Sequence, residues 1–110
     1  MAEQRREYYR VHYPLSDRPV LKAKTDRFEV VDVSEFGVCF KQDERYSFSP
    51  GMLLDATICF SDGNEYVCTG EVLRCDGYRV CVQLHKAIPV QRIRAESVYL
   101  SMTYSARYAD

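Results

Sequence analysis

The sequence predicts a mainly β domain, a small antiparallel barrel or sandwich, that ends in one α-helix. Short segments rich in β-branched or alternating apolar residues recur along the chain, Gly/Asp turns separate them, and the apolar spacing becomes helical near the end. The 110 residues fit a single domain, and a chain of this length can bury a core without metal or disulfide staples.

Residues 1–12 are expected to form a flexible, arginine-containing arm, and residues 13–110 the folded domain. The first ten residues carry three Arg and two Glu without apolar periodicity. Pro14 and Pro19 follow, and proline disfavours helix both at its own position and at the preceding residue.

Six strands are predicted after Pro19. They cover residues 20–24, 28–33, 38–40, 52–60, 65–75 and 79–84. Hairpin turns are expected at 61–64 and 76–77, where Asp, Gly and Asn cluster. In the last strand Val80, Val82 and Leu84 should face the core, because they alternate with Cys81 and Gln83.

A helix is predicted from about residue 89 onwards. Val90, Ile93, Leu100 and Tyr104 fall on one face at helical spacing. Pro89 suits the first helical turn, since its missing N–H would have no partner there. This apolar face should pack on the β domain.

Charge and composition argue against several classes of function. Fifteen Lys and Arg against sixteen Asp and Glu give a net charge of −1, which argues against a non-specific nucleic-acid binder and confines any anion site to a local cluster. No apolar run approaches the roughly 18 residues of a membrane span, and residues 1–7 lack the apolar stretch of a secretory signal. We therefore expect a cytoplasmic protein without membrane insertion.

The cysteines and histidines give no reason to expect a metal site. The five Cys residues form no Cys-x-x-Cys pair, and in a reducing cytosol all five are expected to be thiols. His12 and His85 lie in no recognised nucleophile motif, and the chain has neither a Walker loop nor a GxGxxG sequence. The sequence thus predicts no enzyme, no catalytic residue, no metal and no cofactor.

Two short motifs carry chemistry. Arg6 and Arg10 are spaced as R-x-x-x-R, and Asp32, Ser34 and Gly37 as D-x-S-x-x-G at the end of a β-branched strand. Each motif alone is typical of a solvated helix or an ordinary turn. Asp32 and Ser34 should share one face of their strand, and Gly37 is expected to adopt a positive φ.

Together and in this order, the motifs and the small β domain resemble the PilZ domain family, known as receptors for the bacterial second messenger cyclic di-GMP. The resemblance implies a six-stranded antiparallel β-barrel with a C-terminal helix and an N-terminal arm. It also implies a ligand-binding role for a set of six residues, namely Arg5, Arg6, Arg10, Asp32, Ser34 and Gly37.

The chemistry of these residue types suits that ligand. An arginine fork matches the adjacent O6 and N7 acceptors of guanine and also pairs with phosphate. A carboxylate such as Asp32 can accept from guanine N–H groups, and the Ser34 hydroxyl can donate to phosphate or base oxygens. The arm is expected to close over the ligand against the face that carries Asp32 and Ser34.

The resemblance further implies two stacked nucleotides per chain, because Arg5 precedes the R-x-x-x-R motif; the alternative is that Arg5 is simply solvated. The expected function is a cyclic di-GMP receptor that changes conformation and relays the signal to an unidentified protein. A PilZ-like adaptor that has lost nucleotide binding is the alternative. A barrel for single-stranded nucleic acid is disfavoured by the charge of −1 and the absence of Trp.

Overall fold

The computed structural model describes residues 9–43 and 48–104. Within them the chain forms seven strands and one helix. Their bounds are β1 Val11–His12, β2 Val20–Ala23, β3 Asp26–Ser34, β4 Gly37–Lys41, β5 Leu53–Cys59, β6 Glu65–Asp76, β7 Arg79–Leu84 and α1 Val90–Thr103.

Strands β2 to β7 close into a six-stranded antiparallel barrel. Their order is β3-β2-β5-β6-β7-β4, and β4 pairs back with β3 to close the ring. The predicted barrel is therefore confirmed. The short strand β1 was not predicted, and it continues the line of β2 along β3, with Val11 opposite Val33 and His12 opposite Asp32.

The barrel is filled by the apolar residues that alternate along each strand. Val80, Val82 and Leu84 are buried as predicted, at 0 to 3% exposure. Phe28 and Phe40 pack together in this core with ring centroids 5.2 Å apart. Each fully buried side chain of this kind contributes roughly 1.5–3 kcal/mol to folding, so the inward face of the strands drives formation of the barrel.

Helix α1 packs on the barrel through Ile93 and Leu100, and its N-cap residue is Pro89. The same face also buries Glu96, which lies four residues before Leu100. Tyr13 Oη donates to Glu96 Oε1 at 2.6 Å, and Arg92 Nη1 donates to Glu96 Oε2 at 3.0 Å. Burial of the carboxylate is tolerated because both of its oxygens are paired.

The expectation of five thiols is wrong for Cys39 and Cys81, which form a disulfide. The antiparallel register of β4 and β7 places the two residues directly opposite each other, with Cα atoms 4.1 Å apart. Cys59, Cys68 and Cys75 are free thiols. Sequence spacing did not reveal the pair because 42 residues separate its members along the chain.

In the part of the chain that the structure describes, no helix has the length and apolar character needed to cross a membrane.

Candidate functional site

The candidate ligand site lies on the outer face of β3, β4 and β7. Val33, Val38 and Val80 point into the core, so the residues that alternate with them point outwards. The register aligns Asp32 with Cys39 and Cys39 with Cys81 in one row across the three strands. A register shift in β3 between Val30 and Asp32 marks a bulge, which places Asp32 outside while Val30 and Val33 both stay in the core.

Asp32 is the centre of this site, and its side chain is completely buried although it faces outwards. Arg10 Nη1 donates to Oδ1 at 3.2 Å, and Arg79 Nη2 donates to Oδ2 at 2.5 Å. His12 Nδ1 lies 3.7 Å from Oδ2. Two guanidinium groups thus share one carboxylate, and this local excess of positive charge favours an anionic ligand on a chain whose net charge is −1.

Ser34 and Gly37 flank the two-residue turn that joins β3 to β4, and they are cross-strand partners. The carbonyl groups of the turn residues Glu35 and Phe36 accept hydrogen bonds from the N–H groups of Ile88 and Leu84, at 2.7 and 2.8 Å. These bonds hold the turn against the segment that leads into α1. The D-x-S-x-x-G motif is therefore a short hairpin with a fixed position.

The expectation that Gly37 has a positive φ is wrong. The glycines with positive φ are Gly51, Gly63 and Gly77, whereas Gly37 begins β4 in ordinary strand geometry. A Cβ at position 37 would lie 3.1 Å from Ser34 Oγ, closer than ordinary van der Waals contact. Glycine at this position leaves room for the serine hydroxyl, which a Cβ would force to shift by a few tenths of an ångström.

The N-terminal segment supplies Arg10. The neighbouring Val11 is only 2% exposed and joins the core, so the strand pairing of β1 fixes the position from which Arg10 reaches Asp32. Two other predicted site residues, Arg5 and Arg6, lie outside the described residues. The structure thus brings Arg10, Asp32, Ser34 and Gly37 together.

A cavity of about 210 Å³ opens beside these residues. Arg10, Ser34, Gly37, Cys39 and Cys81 belong to its lining. Asp32 is not part of that lining, because Arg10 and Arg79 cover its carboxylate. The volume is below the roughly 300 Å³ at which small-molecule pockets begin, so a ligand of dinucleotide size would extend beyond the cavity.

Arg79 belongs to the site, although neither sequence motif contains it. It opens β7 on the same face as Cys81, and 40% of its side chain is exposed. Its Nε is buried and finds no hydrogen-bond partner among the described residues. Alternation in β7 indicates that Arg79 points outwards, but the β4–β7 pairing that carries it to Asp32 has no local sequence signal.

Comparison with known proteins agrees with the fold. The model of the PilZ domain family matches residues 4–99. A crystal structure of an uncharacterized Legionella protein superposes with a TM-score of 0.55 at 13% sequence identity, over 91% of this chain and 99% of that one. No curated protein sequence matches significantly. Because the family match extends over most of the 110 residues, this chain belongs to the PilZ domain family.

Proposed function

We propose that this chain is a receptor for cyclic di-GMP and that the ligand binds on the outer face of β3, β4 and β7. The observation that carries the proposal is the buried Asp32 carboxylate between Arg10 and Arg79, with Ser34 alongside. PilZ domains are known as cyclic di-GMP-binding domains. The sequence contains both motifs, R-x-x-x-R and D-x-S-x-x-G, and the structure describes the second arginine of the first motif and all of the second motif.

Ligand binding requires an exchange of partners at Asp32. The carboxylate is completely covered, so a guanine can reach it only after a guanidinium has moved. Arg10 is the one that moves, because its 3.2 Å contact is longer than the 2.5 Å contact of Arg79 and it lies near the expected arm. Arg10 then binds guanine O6 and N7 or a phosphate, while guanine N–H groups donate to Asp32.

Arg79 is a positioning residue in this scheme. It keeps Asp32 paired and oriented while Arg10 is released, because it binds the other oxygen, Oδ2. Ser34 donates its hydroxyl to a phosphate or base oxygen from the end of the same strand. Arg5 and Arg6 add two further cations for the phosphates, and Arg5 supports a second stacked nucleotide.

The segment that carries Arg10 also contacts α1, which gives the signal a route out of the site. Tyr9 Oη and Ser97 Oγ lie 3.4 Å apart, and Tyr13 donates to Glu96. Movement of Arg10 toward a ligand displaces Tyr9, its immediate neighbour, and so alters the contact with α1. We propose that a downstream protein in the bacterial cytoplasm reads this change.

Calorimetry tests the proposal. Cyclic di-GMP should bind with one or two molecules per chain, whereas GTP and linear RNA should bind much more weakly, because neither presents the two guanines and two phosphates of the cyclic dinucleotide together. Arg10→Met should weaken binding, and the matched variant Lys22→Met should not, since Lys22 lies on β2 and pairs with Glu65 at 3.8 Å. If cyclic di-GMP produces no binding, the receptor function is wrong and the adaptor alternative is favoured.

A further inference from the structure

The Cys39–Cys81 pair lies in the floor of the candidate site, and the proposed function makes no use of it. Both residues line the cavity of about 210 Å³, and they are 2% and 4% exposed. Cys39 is the cross-strand neighbour of Asp32, and Arg10 Nη1 lies 3.9 Å from Cys39 Sγ. The pair therefore lies beside the Arg10–Asp32 contact that opens in the proposed binding mode.

Although both cysteines are buried, the pair lies outside the barrel interior. Cys39 and Cys81 stand on the outer face, and neither belongs to the hydrophobic cluster inside the barrel. Cys68, by contrast, does belong to that cluster, as a small apolar residue would. Two thiol side chains directly opposite each other on neighbouring strands are positioned to form or break one bond between them.

We propose that Cys39 and Cys81 form a reversible thiol–disulfide couple and that its redox state sets the affinity of the neighbouring site. The couple itself follows from the placement of the two sulfurs. The identity of the ligand whose affinity it sets rests on the proposed function.

A low-molecular-weight disulfide such as oxidised glutathione is the oxidant. The Cys39 thiolate attacks one glutathione sulfur, which forms a mixed disulfide and releases one glutathione thiolate. The Cys81 thiolate then attacks the Cys39 sulfur and releases the second glutathione. Two electrons pass to glutathione, and the two protons of the cysteine thiols end on the two glutathione thiols. The Arg10 guanidinium beside Cys39 stabilises the thiolate that begins the exchange.

The couple reaches the ligand site through the strands that it joins. In the disulfide, β4 is tied to β7 in the row that also contains Asp32. Reduction lets the sulfurs separate to a non-bonded distance, and we expect Cys39 Sγ then to crowd Arg10 Nη1, which already lies 3.9 Å away. The oxidised form is thus the better organised site, and we expect it to bind at least five-fold more tightly.

Linkage makes this coupling reciprocal. A ligand that binds the disulfide form five-fold more tightly lowers the reduction midpoint of the couple by about 20 mV, because tenfold corresponds to about 30 mV for two electrons. The shift of the reduction midpoint on adding ligand and the ratio of ligand affinities of the two redox forms therefore report the same coupling free energy.

The full chain is equilibrated with graded ratios of reduced to oxidised glutathione, quenched, unfolded and alkylated, and the modified thiols are counted by mass. As the buffer becomes oxidising, the count should fall from five to three in a single step without a retained glutathione. Cys59→Ser, the matched control, should step from four to two at the same midpoint. Cys81→Ser should show no two-thiol decrease. If Cys81→Ser does not fold, Cys39→Ala is used in its place.

The outcomes separate the two proposals. A wild-type count without a two-thiol step overturns the redox couple, and this measurement needs neither ligand nor variant. A clear step with equal cyclic di-GMP affinities for the oxidised and reduced forms overturns the coupling. Absence of binding in both forms overturns the proposed function and the coupling with it, while the couple is still judged by its thiol count.

Discussion

Replacing the two arginines that share Asp32 provides the sharpest test of the site. In Arg10→Met and in Arg79→Met, one guanidinium remains on the carboxylate. Each loss is reduced by solvent, because the two side chains are 29% and 40% exposed, so we expect about 1 kcal/mol of lost stability per variant. In the double variant Asp32 stays buried without either guanidinium, and loss of the partners of a buried charge costs about 3–5 kcal/mol.

Urea unfolding of the four proteins measures this cycle. The double variant should lose at least 1 kcal/mol more than the sum of the single variants, because only the double leaves the carboxylate without a guanidinium. The m-value should not change, since the surface exposed on unfolding is nearly the same. Lys22→Met is the control, and it should lose under about 0.5 kcal/mol because the pair with Glu65 is exposed. Single-variant losses that simply add would refute the shared-carboxylate reasoning.

Ligand affinity in the same variants separates a contact residue from a positioning residue. Arg10→Met should weaken cyclic di-GMP binding by about 1–3 kcal/mol, the range for one bidentate arginine–guanine pair. Arg79→Met should also weaken binding, because Arg10 must then stay on Asp32. The double variant Arg79→Met/Asp32→Asn should bind cyclic di-GMP more tightly than Arg79→Met. The neutral amide at position 32 needs no counterion, so Arg10 can leave it and contact the ligand. An unchanged or weaker double variant would contradict the positioning role.

Three further predictions concern other parts of the molecule. Gly37→Ala should fold with a loss of at most about 1 kcal/mol but bind less tightly, since its Cβ displaces the Ser34 hydroxyl; affinity equal to wild type by calorimetry contradicts this. Burial, and then the hydrogen bond to Glu96, raise the pKa of Tyr13 far above its usual value. The free energy of unfolding in urea should therefore fall above about pH 10, where the tyrosine of the unfolded chain ionises. Tyr13→Phe should lose about 1–3 kcal/mol of stability at pH 7, and its stability should decline less steeply above about pH 10. Arg5→Leu should reduce the calorimetric ratio from two ligands toward one, and a ratio of one in wild type would exclude the second nucleotide.

The barrel could be predicted from the sequence because strand periodicity and turn chemistry are local signals. The predicted and observed strands differ by a few residues at their ends, as with residues 52–60 against Leu53–Cys59. Strand β1 could not be predicted in this way. Its two residues show no period, and what fixes Val11 and His12 is pairing with β3, about twenty residues away.

The residues of the candidate site also differ in whether local sequence signals predict their positions. The spacing within one hairpin was enough to predict that Asp32, Ser34 and Gly37 lie together, because neighbours in sequence are neighbours on that hairpin. The contribution of β7 depends on its register against β4, which sets Arg79 and Cys81 beside residues about forty positions earlier. Gly37 shows a different failure. The predicted reason for a glycine at this position is a positive φ, whereas the structure shows ordinary strand geometry and a Cβ that would crowd Ser34 Oγ.

The paired state of Asp32 also bears on which ligands the site can select. In the proposed binding mode Arg10 leaves the carboxylate, so the measured affinity is the gain from ligand contacts minus the cost of breaking that pair. A bare phosphate satisfies Arg10 but offers no proton donor to Asp32, which then keeps only Arg79 and His12. Guanine offers acceptors for Arg10 and N–H donors for Asp32 at the same time, so unlike phosphate it restores both sides of the broken contact. Asp32→Asn should therefore narrow the preference for cyclic di-GMP over inorganic phosphate, because its amide no longer needs a cation and Arg10 becomes available to any anion.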